Sequence, residues 1–253
     1  MPTPFMHLAV AEQILVRLAD EGENGRFLSH HLTQHWSAFY LGSVAADLST
    51  VSSVPRDTTH FYAMPPAPDL EAYKEMFAAY PALSNPTMMA PDHAVFIAGY
   101  AAHLLLDLIW LREIVFTFFR QRDKWESHEQ RHLAHNILLT YLDQLAQAEL
   151  PETAVNTLAA ARPQQWLPFA PDAALNDWQT MLVAQLQPGA PSQTINIYAQ
   201  RLGITPDCFA ASLQDPEWME AHVFGKIPVA SVQTILQDAV PRSITLISNY
   251  FKQ

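Results

Sequence analysis

A long apolar stretch in the middle of the chain, residues 94–119, limits the possible folds more than any other feature. It is longer than the about 20 residues that a membrane-crossing helix needs. It also carries His103, Asp107, Arg112 and Glu113, which a lipid-facing helix would expose to hydrocarbon. Because the stretch is otherwise apolar on every side, we predict a buried central helix of a soluble protein, with no transmembrane segment.

The rest of the chain shows the periodicity of helices and no convincing set of alternating strand segments. We predict an all-α fold, a multi-helix bundle, with helices over residues 4–19, 30–40, 70–80, 94–120, 128–148, 152–161 and 172–186 and a loop over residues 42–47. Ser127 and Gln130 have the spacing of a capping box at the start of one of these helices. The best candidate break is residues 188–192, and beyond it short helices are predicted to start at Pro206, Pro216 and Pro241.

Composition excludes several classes of protein. Hydrophobic residues make up 49% of the chain and charged residues only 15%, which is typical of a globular protein. The net charge of −11 argues against binding of duplex nucleic acid, which requires clustered basic residues. A single cysteine, Cys208, excludes an intrachain disulfide framework and a thiolate metal cluster. The first residues lack the features of a secretory signal, so we expect a cytoplasmic protein.

Within the apolar stretch, His103 and Asp107 are separated by one helical turn and therefore lie on the same helix face. A buried carboxylate costs several kcal/mol unless a cation or hydrogen-bond donors compensate it. Two explanations remain open from this pair alone. The two side chains form a structural hydrogen-bonded pair, or they belong to a metal site.

Other histidines favour the metal site. The chain contains 11 histidines, and His7 lies on the apolar stripe of the first predicted helix, where it must face the core. His128, His132 and His135 follow one another at helical spacing and continue as an apolar row. The alternative for this row is solvent exposure at the first turn of the helix. Asp47 and His60 have no such pattern around them.

Four segments of the chain, in this order and spacing, resemble the zinc-dependent phospholipase C family, whose superfamily also contains single-strand-specific nucleases. The resemblance covers about residues 5–145. The segments are Phe5-Met6-His7-Leu8-Ala9, Phe39-Tyr40-Leu41-Gly42-Ser43-Val44-Ala45-Ala46-Asp47, Thr59-His60-Phe61 and Gly99-Tyr100-Ala101-Ala102-His103-Leu104-Leu105-Leu106-Asp107.

The resemblance implies an all-helical fold that holds one to three zinc ions between helices. It assigns Asp47, His60, His103 and Asp107 to one ion, and it makes Asp107 a bridge to a second ion that His7 also binds. Oxygen and imidazole ligands without thiolate suit zinc, and also manganese or iron. We therefore expect a single helical domain over residues 1–253, with the metal-bearing region in residues 1–150 and a C-terminal helical region, residues 151–253, of unknown role.

A third ion is implied with a changed set of ligands. Glu113 stands where secreted members have a histidine, and His128 and His132 correspond to a later His-x-x-x-Glu motif. Secreted members also use their processed N-terminal residue as a ligand, whereas this chain begins with Met1 and has no signal to remove, so we expect that ligand to be missing. Ala46 replaces the proline that usually precedes the aspartate of the Gly-Ser segment.

The function that the resemblance implies is metal-dependent hydrolysis of a phosphodiester, in which a metal-activated water attacks phosphorus. Asp47 is then the catalytic residue that orients or deprotonates the water. The expected substrate is a small phosphodiester or a phospholipid headgroup. Two alternatives stay open: a helical metal-binding protein without turnover, and a single-strand nuclease, although a nuclease would require basic and aromatic residues around the metals.

Overall fold

The computed structural model describes residues 1–190 and 193–252, and all regular structure in these residues is helical. The α-helices are α1 (Pro4–Asp20), α2 (Gly22–Gln34), α3 (Trp36–Ala45), α4 (Arg56–His60), α5 (Ala72–Ala79), α6 (Pro91–Ile109), α7 (His128–Glu149), α8 (Ala154–Ala160), α9 (Asp172–Gln185), α10 (Thr194–Leu202), α11 (Pro206–Gln214), α12 (Pro216–Met219) and α13 (Val229–Tyr250). Short 3₁₀ segments lie at Ala46–Thr50, Pro81–Ser84, Pro86–Met88 and Arg122–Lys124, and π-helical segments at Trp110–Phe119 and Glu220–Phe224. The all-α fold class is confirmed.

Helix α6 forms the centre of the fold, as the apolar stretch predicts. Pro91 occupies its first turn, where a missing N–H costs nothing, and the helix continues into the π-helical segment Trp110–Phe119. Among the described residues, the combined helix Pro91–Phe119 alone is long and apolar enough to cross a membrane, and 94% of its most apolar window is buried within the protein. Helices α3, α5 and α13 pack against α6, which confirms the prediction of a buried central helix.

The contact between α3 and α6 is a close approach of two backbones. A Cβ atom at Gly42 would lie 2.1 Å from the carbonyl oxygen of Phe96, and one at Gly99 would lie 2.5 Å from that of Phe39. Only glycine fits at these two positions. Both glycines therefore allow two helices to pack closely, and neither introduces a turn. The prediction of a loop over residues 42–47 is therefore wrong: α3 continues to Ala45 and is followed by 3₁₀ structure.

Two other predicted boundaries also differ. The single helix predicted over residues 30–40 belongs to α2 and α3, which are separated at His35. Pro241 does not start a helix but lies inside α13, where buried residues on both sides hold the helix against its neighbours. Pro206 and Pro216 do start helices, as predicted. Of the predicted break at residues 188–192, residues 191 and 192 lie outside the described residues.

Candidate metal centre

Four helical elements bring five polar side chains together in the core. Helix α1 supplies His7, the 3₁₀ segment Ala46–Thr50 supplies Asp47, α4 supplies His60, and α6 supplies His103 and Asp107. Two groups are close enough to hold an ion: His7 with His103 and Asp107, and Asp47 with His60 and His103. Within each group, the potential ligand atoms lie within 4.8 Å of one another.

Asp107 lies at the centre of this arrangement and is completely buried. Its Oδ1 is 3.6 Å from Nε2 of His7, and its Oδ2 is 3.3 Å from Nε2 of His60 and 3.6 Å from Nε2 of His103. On the other side, Nε2 of His60 is 3.5 Å from Oδ1 of Asp47. The imidazole Nε2 atoms therefore point at carboxylate oxygens from several directions.

Backbone carbonyls fix the orientation of two of the rings. Nδ1 of His103 is 2.8 Å from the carbonyl oxygen of Ser43, and Nδ1 of His60 is 3.2 Å from that of Arg56. Because a carbonyl oxygen can only accept, each Nδ1–H donates, and the neutral ring then carries its lone pair on Nε2. Such outer contacts set the tautomer that a metal-binding histidine needs.

The inner atoms of the cluster have no hydrogen-bond partner among the described residues. They are Nε2 of His7, His60 and His103, together with both oxygens of Asp107. Buried polar atoms without partners cost free energy, and a cation bound among these five atoms would satisfy them together. The donor set, imidazole nitrogen and carboxylate oxygen, fits zinc. His103 belongs to both groups, and the oxygens of Asp107 lie 3.3–3.6 Å from the Nε2 atoms of all three histidines.

The electrostatics of the cluster keep most of its members in the protonation state that binds a metal, which is neutral for histidine and anionic for aspartate. Burial, reinforced by the stacked ring of His103, lowers the pKa of His7 to about 4, so that His7 is neutral. The pKa of Asp107 is well below its usual range, because the surrounding histidines outweigh its burial. His60 differs: although burial opposes it, the carboxylates of Asp107 and Asp47 raise its pKa to about 9. His60 must therefore release a proton when it binds a metal near neutral pH.

Three predicted ligands lie outside both groups. Glu113 accepts a hydrogen bond from Arg242 of α13. His128 and His132 are exposed on the first turns of α7, with ring centroids 4.0 Å apart. A metal role for these three residues stays a prediction. His135 is half-buried on the same helix and accepts a hydrogen bond from the indole of Trp110 at 3.2 Å.

A cavity of about 300 Å³ opens onto the cluster at Asp47 and His60. The side chain of Asp47 is 21% exposed, whereas that of His60 is 1% exposed, so Asp47 is the member that solvent reaches. The α-amino group of Met1 also lies here: burial lowers its pKa, and the charges of Asp107 and Asp47 oppose this effect.

Three residues that line the cavity, Arg56, Tyr198 and Arg201, were not predicted from the sequence. Arg56 precedes His60 by four residues, and this helical spacing could have revealed it. Tyr198 and Arg201 lie on α10, far along the chain from the predicted ligands, and no local pattern connects them to the site.

Three buried imidazoles and two carboxylates, held between helices beside an open cavity, form a candidate metal site in an all-α fold. The family model for zinc-dependent phospholipase C matches residues 6–188, and the chain belongs to this family. The match covers α1 to α9 and thus extends past residue 145, where the resemblance seen in the sequence ended. Membership makes zinc the implied ion. No curated protein and no solved structure matches the chain.

Proposed function

We propose that this protein is a zinc-dependent phosphodiester hydrolase that cleaves a phospholipid between the phosphate and the glycerol. The observation that carries the proposal is the set of unpartnered ligand atoms around Asp107, placed next to a cavity large enough for a phosphodiester group. Family membership supports the same chemistry.

The residues that would hold zinc are the five members of the cluster, His7, Asp47, His60, His103 and Asp107. A bound zinc ion lowers the pKa of a coordinated water toward about 7 and polarises the phosphoryl oxygens. The protein contributes a rigid frame, since the carbonyls of Ser43 and Arg56 keep two of the imidazoles in place.

Asp47 is positioned to handle the attacking water. Its carboxyl pKa is lowered, because His60 and His103 outweigh the effect of burial, so Asp47 is anionic near neutral pH. An anionic, partly exposed carboxylate accepts a hydrogen bond from water and directs the oxygen lone pair toward phosphorus. The oxygen–phosphorus bond forms, the bond from phosphorus to the glycerol oxygen breaks, and the proton from water passes through Asp47 to the departing oxygen.

A second groove supports a substrate with an apolar tail. It has a volume of about 630 Å³ and is continuous with the first cavity, because both are lined by the same five residues: Thr50, Met181, Gln185, Ile197 and Arg201. Val51 and Ala184 add apolar surface to the groove. We infer that the apolar side chains of this groove, Val51, Met181 and Ala184, contact the acyl part of the substrate while the phosphate faces the cluster.

The test is hydrolysis of a short-chain phospholipid and of p-nitrophenyl phosphodiesters by zinc-loaded protein. We expect turnover by the wild type and a loss of at least about 100-fold in kcat for Asp47→Asn, which is typical for removal of a general base. Asp20→Asn, an exposed change of the same kind at the end of α1, serves as the matched control and should leave the rate unchanged.

The zinc content of each variant must be measured together with the rate. A wild-type rate in Asp47→Asn protein that holds its full zinc would remove Asp47 from the mechanism. Equal activity in the wild type, Asp47→Asn and His103→Ala would show a contaminating enzyme, and no hydrolysis of any substrate by zinc-loaded wild type would favour a metal-binding protein without turnover.

A further inference from the structure

Two arginines face the cavity beside the metal cluster. Arg56 comes from α4 and Arg201 from α10, and both line the same space as Asp47 and His60. The chain has only 14 lysines and arginines and a net charge of −11, which makes two arginines at one cavity a notable local concentration.

Arg56 is held in position but only weakly neutralised. Its Nη2 donates to the hydroxyl of Tyr62 at 2.7 Å, and its guanidinium lies 4.7 Å from the centre of the same ring. Its ion-pair partner is Asp57, at 3.9 Å and 68% exposed, which is a weak interaction. The Nη1 atom of Arg56 is buried and has no hydrogen-bond partner among the described residues. This buried donor atom therefore lacks an acceptor, although 32% of the Arg56 side chain is exposed.

The positive charge of Arg201 is neutralised even less than that of Arg56. It is exposed, its guanidinium lies 5.6 Å from the centre of the Tyr198 ring, and within the described part of the chain it forms no ion pair with a carboxylate. Tyr198 is buried, so its ring provides a fixed surface beside the arginine. An uncompensated arginine on an aromatic support is suited to binding an anion, since its planar donors match phosphate and carboxylate oxygens.

The lining of the cavity disfavours a cationic headgroup. Among its described lining residues, Asp47 is the sole carboxylate, and it faces His60. Recognition of a quaternary ammonium group requires aromatic faces without competing positive charge. Arg56 and Arg201 would instead repel such a group and attract a negative one.

We propose that Arg56 and Arg201 form a subsite for a second anionic group on the substrate, a phosphate or carboxylate carried by the alcohol that remains on phosphorus. The substrate class is thus a phosphodiester with an anionic headgroup and not a zwitterionic one. This inference rests on the proposed hydrolytic function, since it specifies the substrate of the same site.

Three p-nitrophenyl phosphodiesters test the proposal, because they differ only in the alcohol retained on phosphorus: 3-phosphopropyl, 3-hydroxypropyl and choline. For the zinc-loaded wild type, we expect kcat/KM for the phosphopropyl ester to exceed the other two by about tenfold or more, the contribution of one charge-assisted hydrogen bond. Arg56→Met and Arg201→Met should each reduce this preference by about tenfold and leave the hydroxypropyl ester little affected. Arg17→Met, an exposed arginine of α1, is the matched control.

Each other outcome contradicts the subsite. An equal loss for all three substrates would mean that the arginines bind the scissile phosphate. Preference for the choline ester, or no difference among the esters, would show that the cavity does not select for negative charge. Zinc content must remain at the wild-type level in both variants, which is expected because Arg56 contacts His60 through its backbone carbonyl.

A binding measurement separates failure of the subsite from failure of the proposed hydrolysis. Calorimetry compares propane-1,3-diol bisphosphate with the monophosphate on zinc-loaded protein. About tenfold tighter binding of the bisphosphate, lost in Arg56→Met and Arg201→Met but kept in Arg17→Met, supports the subsite even if no ester is hydrolysed. Equal affinity for the two compounds overturns it even if hydrolysis occurs.

Discussion

Asp107 is the residue around which the metal centre is organised. It is buried in the central helix, and its two oxygens face the Nε2 atoms of three histidines without meeting the geometry of a hydrogen bond to any of them. A carboxylate in this position is tolerated only if positive charge accompanies it. The histidines supply some of that charge when protonated, and a metal ion would supply more while satisfying all the atoms at once.

His103 should matter more for metal binding than either of the other two histidines, because it belongs to both potential ligand groups. We expect His103→Ala to lower zinc affinity by more than the about 10–100-fold that is typical for loss of a supporting residue, because it removes a ligand and also the ring that stacks on His7. His7→Ala and His60→Ala should each have a smaller effect. The measurement is zinc per chain by elemental analysis during titration with a chelator. His30→Ala, exposed on α2, is the control, and a His103→Ala protein that binds zinc as this control does would contradict the assignment.

At the scale of residues, the sequence predicts a site residue when its neighbours in the site are also its neighbours along a helix. His103 and Asp107 lie one turn apart on one helix, so their proximity follows from helical geometry alone. Asp47 and His60 meet them only through tertiary packing, and only the family resemblance pointed to them. Arg201 was missed because its partners in the cavity are contributed by other elements.

At the scale of elements, the contact between α3 and α6 controls the orientation of His103. The carbonyl of Ser43 on α3 accepts the Nδ1–H of His103 at 2.8 Å, and Gly42, the residue before Ser43, is in backbone contact with α6. Ser43 is also tied to its own helix, since its hydroxyl donates to the carbonyl of Phe39. The distance between the two helices therefore determines whether the imidazole is held.

Gly42→Ala should disturb both the fold and the metal centre. The added methyl would meet the Phe96 carbonyl at 2.1 Å, so the helices must separate, at a cost of about 1–3 kcal/mol for an overpacked core. We expect a lower urea midpoint and weaker zinc binding, because the Ser43 carbonyl moves away from His103. Gly189→Ala is the control: its φ of +75° makes alanine strained, but it lies in a turn away from the cluster. Loss of zinc affinity in the control as well would mean that zinc binding reports only global stability.

Asp143 connects two elements and makes their association dependent on pH. It is buried on α7 and accepts a hydrogen bond from the Thr194 hydroxyl of α10 at 2.8 Å. Burial, partly opposed by hydrogen bonds that include those from Thr3 and Thr194, raises the pKa of Asp143 to about 6, compared with 3.8 for an unperturbed aspartate. The folded state therefore holds this proton more tightly than the unfolded state does.

The contribution of Asp143 to the free energy of unfolding should consequently decrease as pH rises from about 4 to about 6, and stay constant above. The full change corresponds to about 3 kcal/mol. Asp143→Asn cannot ionise, so relative to wild type its stability should increase across this pH range, whatever constant offset the altered hydrogen bonds introduce. Urea unfolding at a series of pH values measures this difference. Asp20→Asn should show no such trend, and a pH-independent difference for Asp143→Asn would refute the prediction.

The helices themselves were predictable because their periodic patterns are long, whereas their junctions were not. The loop expected over residues 42–47 rested on the usual association of glycine with turns, and the actual role of Gly42 depends on α6, far along the chain. Pro241 shows the same limit, since tertiary contacts of α13 outweigh the tendency of proline to end a helix.

At the scale of the whole molecule, the cavity is built from residues that lie both inside and outside the region matched by the family model. The cluster lies within residues 6–188, but α10, which supplies Tyr198 and Arg201 to the cavity, and α13, which packs against α6 and α1, follow that region. Residues 151–253, for which the sequence suggested no role, therefore contribute one wall of the cavity and part of the core. Of the two arginines in the proposed subsite, Arg201 lies outside the part shared with the family, whereas Arg56 lies within it.

Removal of zinc should destabilise the whole fold and not only the site. The ligands come from α1, the segment Ala46–Thr50, α4 and α6, so bound ions cross-link elements that are distant in the chain. Ions that bind only the folded state stabilise it by about 4 kcal/mol at a free concentration 1,000 times the dissociation constant. We expect the urea midpoint to fall on chelation and to recover on addition of zinc. In His103→Ala, where the cross-link is broken, chelation should have little further effect, whereas His30→Ala should behave as wild type. An unchanged midpoint for wild type with and without zinc would mean that the cluster forms no folding-coupled metal site, because the unpartnered atoms around Asp107 would then be tolerated without a cation.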